Sequence, residues 1–403
     1  MNVLLLCNKS PWPPKEGGPI AMYAMIKGLL MAGISVKVLA LNTNKYSVDL
    51  KDIPVDFKLQ TRISLVDIDL SVKPFNAFLN LFSKRSYHIQ RFISDDIATA
   101  LTDILKSETF DIIQFESLFL TSYINLIKKY SSAPLVLRAH NIEHIIWFRL
   151  AHETTLPLNR LYLHHLAKTL KSYELTVINE LDGIATITHI DEERFRKLGY
   201  KNFIQTIPFG ISATEGLTHS NVVPSNSLFH IGAMNWKPNQ EGIRWFLKEC
   251  WPLIHVKYPE VKLVLAGREM PRWMLNTVMT GVEIKREVPD AKQFMSENGI
   301  MIVPLFSGSG VRVKIIEAMA LGKTVITSTI GAEGILCEHK KNILIADTSD
   351  DFMEAIISCY SDPAMATQIG VNARQYIHEN HLLEKVSGLT MKFYQQLIKS
   401  LKE

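Results

Sequence analysis

Short continuous apolar runs alternate with helix-patterned segments along this chain, and the alternation occurs twice, on either side of one polar interruption. In the first half the runs are VLLLC (3–7), VKVLAL (36–41), DIIQF (111–115), PLVLRA (134–139) and GIATI (183–187). Helical patterns such as PIAMYAMIKGLLMAG (19–33) separate them. A strand that is apolar on both faces must be covered on both, so these runs predict parallel strands sandwiched between helices. The stretch GISATEGLTHSNVVPSNS (210–227) lacks apolar periodicity and is rich in Ser, Thr, Asn and Gly, which marks a linker. The alternation then resumes with LFHIG (228–232), VKLVLAG (261–267), IMIVP (300–304), TVITS (324–328) and NILIA (342–346), and the tail from 349 onward reads as helical.

The expected fold is therefore α/β, with two Rossmann-like doubly wound domains at 1–209 and 228–382 and a linker at 210–227. Two such sheets on one linker imply a cleft between them. Ligands of such sheets sit beyond the carboxyl ends of the strands, so the informative residues follow each strand.

Composition bounds the alternatives. The 403 residues are 47% hydrophobic and 21% charged, enough for two cores of ordinary size. A net charge of +4 does not suggest a nucleic-acid partner. Cys7, Cys250, Cys337 and Cys359 are too far apart in sequence for a metal pair and too few for a disulfide scaffold, which fits a reducing compartment. The opening MNVLLLCNKS has too short an apolar run, and no basic flank, for a signal peptide, and no apolar stretch reaches the roughly 18 residues of a membrane span. A cytoplasmic protein is expected, at most touching a membrane from one side.

The stretch PLFSGSGVRVKIIEAMALGKTVI (304–326) is the most informative. A strand ends at Pro304, and the loop Ser307-Gly308-Ser309-Gly310 leads into a helix expected to begin near Val311. Unpaired N–H groups and the positive end of a helix dipole suit a phosphate. The spacing of Gly310, Lys314 and Glu317 predicts one shared helix face. A cation one turn in suits a diphosphate, and a carboxylate a turn further suits the hydroxyls of a ribose. Arg312, about 200° around the helix from Lys314, either reaches phosphate from the first turn or is solvated. LGKT (321–324) imitates the end of a nucleotide-triphosphatase phosphate loop, but the first glycine of that motif would fall on Glu317, inside a helix.

Other loops carry weaker signals. Gly17 and Gly18 are expected just before a helix, either as an anion-favouring turn or as a plain strand–helix connection. Asn235, Trp236 and Lys237 are expected in the loop after the first strand of the second half, with Lys237 reaching the cleft or simply solvated. His140-x-x-Glu143-His144 imitates an inverted zinc-peptidase signature. That signature needs both histidines on one helix, whereas His140 closes an apolar run opened by Pro134. His140 is expected at a strand end facing the cleft, with Glu143, His144 and Trp147 on a helix face packed inside the domain.

Taken together, the double glycine before a helix ending LLMAGISVKVL, RAHNIEH, TIPFGIS, IGAMNWKPN and VRVKIIEAMALGKTVITSTIGAEGI resemble, in order, the retaining GT-B glycosyltransferases of the large family 4 group. EAMALGKTVI is the most specific element, and HNIEHIIWFRLA is similar to a bacterial branch that builds surface polysaccharides. The resemblance implies a C-terminal domain that binds a nucleotide diphosphate sugar and an N-terminal domain that binds the acceptor. It implies no metal and no other cofactor, since helix ends and basic residues hold the diphosphate, and a last helix (383–403) that crosses back to the first domain. By the same resemblance Glu317 binds ribose, and Gly308, Ser309, Gly310, Val311, Arg312 and Lys314 surround the diphosphate; the family's lysine near the first strand of this domain has no aligned match, and Lys237, one position off, would take its place. His140 stands beside the reacting sugar, Gly17 and Gly18 face donor and acceptor, and the backbone around Arg286 and Val288 meets the base. Two family contacts are missing. Ser309 stands where the first glutamate of the family's pair usually contacts the sugar, and Ala233 replaces the usual arginine.

The implied reaction moves a sugar to an acceptor hydroxyl with retention, stabilising the leaving diphosphate with loop N–H groups, the helix dipole and basic residues. No glycosidase-like carboxylate pair is apparent in the loops. A nucleotide-sugar epimerase of the same fold, or a degenerate non-catalytic transferase acting in assembly, are the competing readings. Finally, SVKPFNAFLNLFSKRSYHIQRF (71–92) mixes Phe75, Phe78, Leu81 and Phe82 with Lys84, Arg85 and Arg91. It suits either an anionic membrane surface, as a lipid-linked acceptor would require, or a helix packed on the first domain with a solvated basic edge.

Overall fold

A computed structural model describes residues 1–73, 75, 79–212, 226–308 and 310–402. Most of the expected linker at 210–227, together with Phe78 and Ser309, lies outside the described residues. The chain divides into two compact units, Met1–Gly210 with Glu384–Glu403, and Ile211–Leu383.

The first unit is built on β1 (Asn2–Cys7), β2 (Ser35–Thr43), β3 (Ser64–Ile68), β4 (Ile112–Phe115), β5 (Leu135–Ala139), β6 (Gly183–Thr186) and β7 (Phe203–Thr206). They form one parallel sheet in the order β3-β2-β1-β4-β5-β6-β7. Side chains of a strand alternate between faces, and β1 divides accordingly. Leu4 and Leu6 enter one apolar cluster, while Val3, Leu5 and Cys7 enter the other. Each fully buried side chain of this kind contributes about 1.5–3 kcal/mol.

The terminal helix Leu383–Ser400 lays Val386, Phe393, Tyr394 and Leu397, a stripe at helical spacing, into the second of those clusters. It lies directly on β6: a Cβ added at Gly183 would meet Leu397 Cδ2 at 2.9 Å and Phe393 Cζ at 3.0 Å.

The second unit carries β8 (Ser227–Ile231), β9 (Lys262–Ala266), β10 (Val282–Arg286), β11 (Ile300–Val303), β12 (Val325–Thr327) and β13 (Leu344–Ile345), also parallel, in the order β10-β9-β8-β11-β12-β13. Both sheets are doubly wound. Connections run away from β1 and β4 in opposite directions, and likewise from β8 and β11. A crevice opens at the carboxyl ends of such pairs. Among the described residues no helix is long and apolar enough to cross a membrane.

Three strands carry no continuous apolar run: β3, β7 and β10. Each is an outermost strand of its sheet. An edge strand is half-exposed, so its sequence alternates or turns polar instead of reading as an unbroken apolar run.

Candidate functional site

In the second unit the β8–β11 switch point gathers a compact basic cluster. Lys314 sits in the first turn of the helix Val313–Ala320, which follows β11. Its Nζ donates to Asn239 Oδ1 at 2.8 Å and lies 3.1 Å from His230 Nε2. His230, on β8, is fully buried and holds the Ile302 carbonyl on β11 through Nδ1 at 2.8 Å. Since Nδ1 must donate to that carbonyl, Nε2 of the neutral ring is the acceptor facing Lys314. Burial holds the Lys314 ammonium well below its ordinary range, with the nearby Arg312 charge adding to the effect. Burial, then Lys314, likewise holds His230 well below the usual imidazole value. Gly232 leaves the room: a Cβ there would stand 2.9 Å from Asn239 Nδ2 and 3.1 Å from Lys314 Nζ.

Arg312 is the N-cap residue of the helix and is only 5% exposed. Its guanidinium lies 5.5 Å from the centre of the Trp236 ring, a cation–π arrangement, and donates to the Gly310 carbonyl. The loop that wraps this pair needs its glycines. Gly308 has φ +117°, and a Cβ on it would stand 2.9 Å from Trp236 Cζ2 and 3.0 Å from Arg312 Nη2, while Gly310 has φ 77°. The result is two basic side chains at the positive end of a helix, an arrangement that attracts a polyvalent anion.

Several expectations change in detail. The helix begins at Val313, so Val311 and Gly310 precede it, and only Lys314 and Glu317 share its face. Glu317 is half-buried one turn beyond Lys314. Arg312 is not a solvated alternative to Lys314 but its buried neighbour. Lys237 is the first residue of the helix Lys237–Trp245 rather than a loop residue, and it is exposed. Arg286, with φ 54°, ends the edge strand β10 and is exposed, and Val288 follows it. Lys323 of LGKT is buried and donates to the carbonyls of Ser296 at 2.8 Å and Asn298 at 2.5 Å, a structural strut.

Sequence reasoning did not single out His230 or Asn239, and it assigned Trp236 no role. His230 left one signal, a polar residue inside an otherwise apolar strand.

In the first unit, His140 directly follows β5, whose neighbour β4 borders the β1–β4 switch point. His140 Nε2 lies 3.0 Å from Glu116 Oε2, the carboxylate one residue beyond β4. The Glu116 side chain is 1% exposed and that of His140 is 21% exposed, so the imidazole spans from the buried carboxylate to the surface.

His144 belongs to the helix Glu143–Glu153 and binds a different carboxylate: its Nδ1 is 2.6 Å from Glu174 Oε2. Glu174 also accepts the N–H groups of Glu143 and His144, both at 3.1 Å, tying down the start of that helix. The Glu143 carboxyl is pushed up to about 8 by burial and by Glu174, and Trp147 packs on His88 with ring centroids 3.9 Å apart. The two histidines of the zinc-like signature thus serve separate structural partners.

Gly17 and Gly18 are the first two residues of the helix Gly17–Met31 rather than a turn before it. Its N-cap, Glu16, pairs with Lys9 at 3.5 Å. A Cβ at Gly18 would meet Lys9 Cε at 3.0 Å, whereas one at Gly17 would meet nothing within 4 Å.

Comparison with known proteins places this geometry. Residues 225–362 match the model of the family described as Glycosyl transferases group 1. A protein of Klebsiella pneumoniae described as an uncharacterized 44.6 kDa protein in the cps region is 22% identical over 415 aligned residues, covering 95% of this chain and 97% of the relative. Among solved structures, sucrose-phosphate synthase of Thermosynechococcus elongatus superposes with a TM-score of 0.72 at 14% identity, covering 99% of this chain and all of the other. HepE of Anabaena, solved in complex with UDP-glucose, gives a TM-score of 0.64 at 14% identity, covering 99% of each chain. The chain has the GT-B fold, and the matched glycosyl transferase domain includes every residue of the basic cluster.

Proposed function

We propose that the chain is a metal-independent, retaining glycosyltransferase of family 4 type. In this reading it moves a sugar from a nucleotide diphosphate sugar to an acceptor hydroxyl in the synthesis of cell-surface polysaccharide. The observation that carries it is the pairing of Arg312 and Lys314 at the start of the Val313–Ala320 helix, on the β8–β11 switch point. The reading is supported by the family match over 225–362 and by a full-length relative named for a cps region.

Each residue then has a task. Arg312, Lys314 and the loop N–H groups of Gly308, Ser309, Gly310 and Val311 neutralise the diphosphate, whose charge grows as the glycosidic bond breaks. Lys237 adds an outer cation. Glu317 accepts the ribose hydroxyls, and the backbone near Arg286 and Val288 meets the base. His140 hydrogen-bonds the donor sugar, and the first turn at Gly17 and Gly18 lets donor and acceptor approach. Basic residues and a helix end take the part that a divalent cation plays in other phosphate chemistry. Ser309, in place of a glutamate, sets which sugar is accepted.

The acceptor is lipid-linked in this proposal. Phe75 and Phe82 are 71% and 80% exposed, and Leu158 and Leu161 are 82% and 70% exposed. The two segments meet where His165 Nε2 lies 3.1 Å from the Asn80 carbonyl oxygen. Residues 71–93 hold Lys73, Lys84, Arg85 and Arg91, and residues 154–173 hold Arg160, Lys168 and Lys171, with no Asp or Glu in either. These seven cations exceed the +4 of the whole chain, so this region is far more basic than the remainder. Apolar side chains beside such a field suit the anionic face of a bilayer.

A thermal-shift screen of nucleotide diphosphate sugars against plain nucleotides tests the donor half of the proposal. Stabilisation by at least one sugar nucleotide beyond its parent nucleotide is expected. No response to any nucleotide would count against it.

A further inference from the structure

The structure links His140 to the C-terminal helix through three further side chains of the first unit, Glu116, Gln114 and Tyr394. His140 Nε2 is 3.0 Å from Glu116 Oε2, Gln114 Nε2 donates to Glu116 Oε1 at 2.6 Å, and the Tyr394 hydroxyl donates to Gln114 Oε1 at 2.6 Å. Gln114, Glu116 and Tyr394 are all buried.

With Glu116 as a carboxylate, the direction of every bond follows. An ionised carboxylate only accepts, so both the His140 Nε2 and the Gln114 amide nitrogen must donate to Glu116. The Gln114 oxygen is then left as acceptor, and Tyr394 must donate to it. A neutral His140 therefore carries its proton on Nε2, and its Nδ1 holds the lone pair. Arg138 lies in the same buried region, under the electrostatic influence of Glu116 and Tyr394, and its guanidinium is engaged by the carbonyls of Thr186, Ile207 and Pro208 at 3.3, 2.6 and 3.2 Å.

We propose that Glu116 and Tyr394 are positioning residues for sugar transfer: Glu116 fixes the ring orientation and tautomer of His140, and Tyr394 ties that arrangement to the docking of the C-terminal helix. With Nε2–H committed to Glu116, His140 presents Nδ1 as an acceptor for one sugar hydroxyl. Tyr394 sits on the helix that covers the sheet, 280 residues from Gln114 in sequence, so loosening the helix loosens the imidazole. This inference rests on the transferase reading, and it adds two residues that never touch substrate.

The test combines a readout that needs no substrate with one that does. In protein carrying 15N-labelled histidine, the His140 ring should show a single Nε2–H tautomer in the wild type. It should lose that preference in Glu116→Gln, whose amide can turn its NH2 toward the ring, and be perturbed in Tyr394→Phe. In transfer assays Glu116→Gln should lower kcat by about 10- to 100-fold, the usual range for partners that orient a functional histidine, while donor affinity changes less than twofold. Tyr394→Phe should lower kcat several-fold with the same affinity. Because the residues act as one unit, His140→Ala combined with Glu116→Gln should be no slower than His140→Ala alone.

An unchanged tautomer in Glu116→Gln overturns the proposal, and so do additive rate losses in the double variant. If the wild type neither binds nor transfers any sugar nucleotide, the transferase reading fails by itself, and the tautomer measurement still decides whether Glu116 governs His140. Should Glu116→Gln fold poorly, Tyr394→Phe keeps the carboxylate and carries the same test.

Discussion

Lys314 Nζ stands 3.1 Å from Nε2 of the fully buried His230 and 2.8 Å from Asn239 Oδ1. Both partners can accept a hydrogen bond from the amine, yet neither supplies a formal negative charge. Burial, helped by Arg312, therefore holds the ammonium well below its ordinary range. In the proposed function an entering diphosphate would supply the missing charge and favour the protonated amine.

Binding of a nucleotide diphosphate should accordingly take up protons and tighten as pH falls through the lowered Lys314 value. Calorimetry in two buffers of different ionisation enthalpy reads this uptake directly. Lys314→Met should abolish the uptake and weaken binding by about 10- to 100-fold, the range for losing one charged hydrogen bond. Proton release on binding would contradict this account of the lysine.

The same pair sets an acid-side stability slope. His230 stays neutral in the fold, whereas the unfolded chain protonates it near 6.5. Its contribution is complete above that pH and is lost as pH falls below it, because the unfolded state then binds the extra proton. Lys314 acts in the same direction, favouring the fold as pH rises toward 10.5. Denaturant titrations at pH 5, 6 and 7 should show stability falling with acid, by at most about 1.4 kcal/mol per pH unit from the histidine. His230→Gln should flatten that slope.

Close packing under the cluster makes a second stability prediction. Gly242 lies in the helix Lys237–Trp245, and a Cβ on it would stand 1.6 Å from the Pro304 carbonyl oxygen, just beyond β11. Gly242→Ala must push the helix from the sheet, costing about 1–3 kcal/mol or more. Thermal unfolding reads it, and nucleotide binding should weaken alongside. Gly17→Ala, which meets nothing within 4 Å, is the contrasting substitution and should leave unfolding unchanged.

The proposed membrane docking has a separate signature. The protein should sediment with vesicles containing phosphatidylserine but not with pure phosphatidylcholine vesicles, and moderate salt should release it. Phe82→Asp and the pair Lys84→Glu with Arg85→Glu should each abolish sedimentation. Vesicle binding that survives both would place the contact elsewhere.

Much of this was legible in the sequence, and the omissions have physical causes. Interior strands such as β1, β5 and β8 announce themselves because both faces are buried. The edge strands β3, β7 and β10 do not, since VEIKR or FIQT must tolerate water on one side. That Lys314 and Glu317 share one helix face is readable from their spacing. The same spacing puts Gly310 on the helix, whereas three residues, Gly310 to Arg312, run non-helical before Val313. Trp236 and Asn239 became visible only when the fold brought β8 beside β11, and no spacing rule links residues about 75 positions apart. Glu116 and Tyr394 were hidden for the same reason.

The ribose assignment is tested by Glu317→Ala. Affinity for a nucleotide diphosphate sugar should fall about 10- to 100-fold, with little further loss when the ribose lacks a hydroxyl. Wild-type protein should discriminate clearly between the two nucleotides. Equal discrimination by wild type and variant would remove Glu317 from the site.

The most direct test of the central claim is single-turnover sugar transfer by His140→Ala, with donor affinity measured on the same preparation. The account predicts donor affinity within about twofold of wild type and transfer slowed by about 100-fold or more, in the range ascribed to positioned groups at a reacting centre. Transfer at the wild-type rate would contradict it, because the reacting sugar would then lie somewhere other than beside His140.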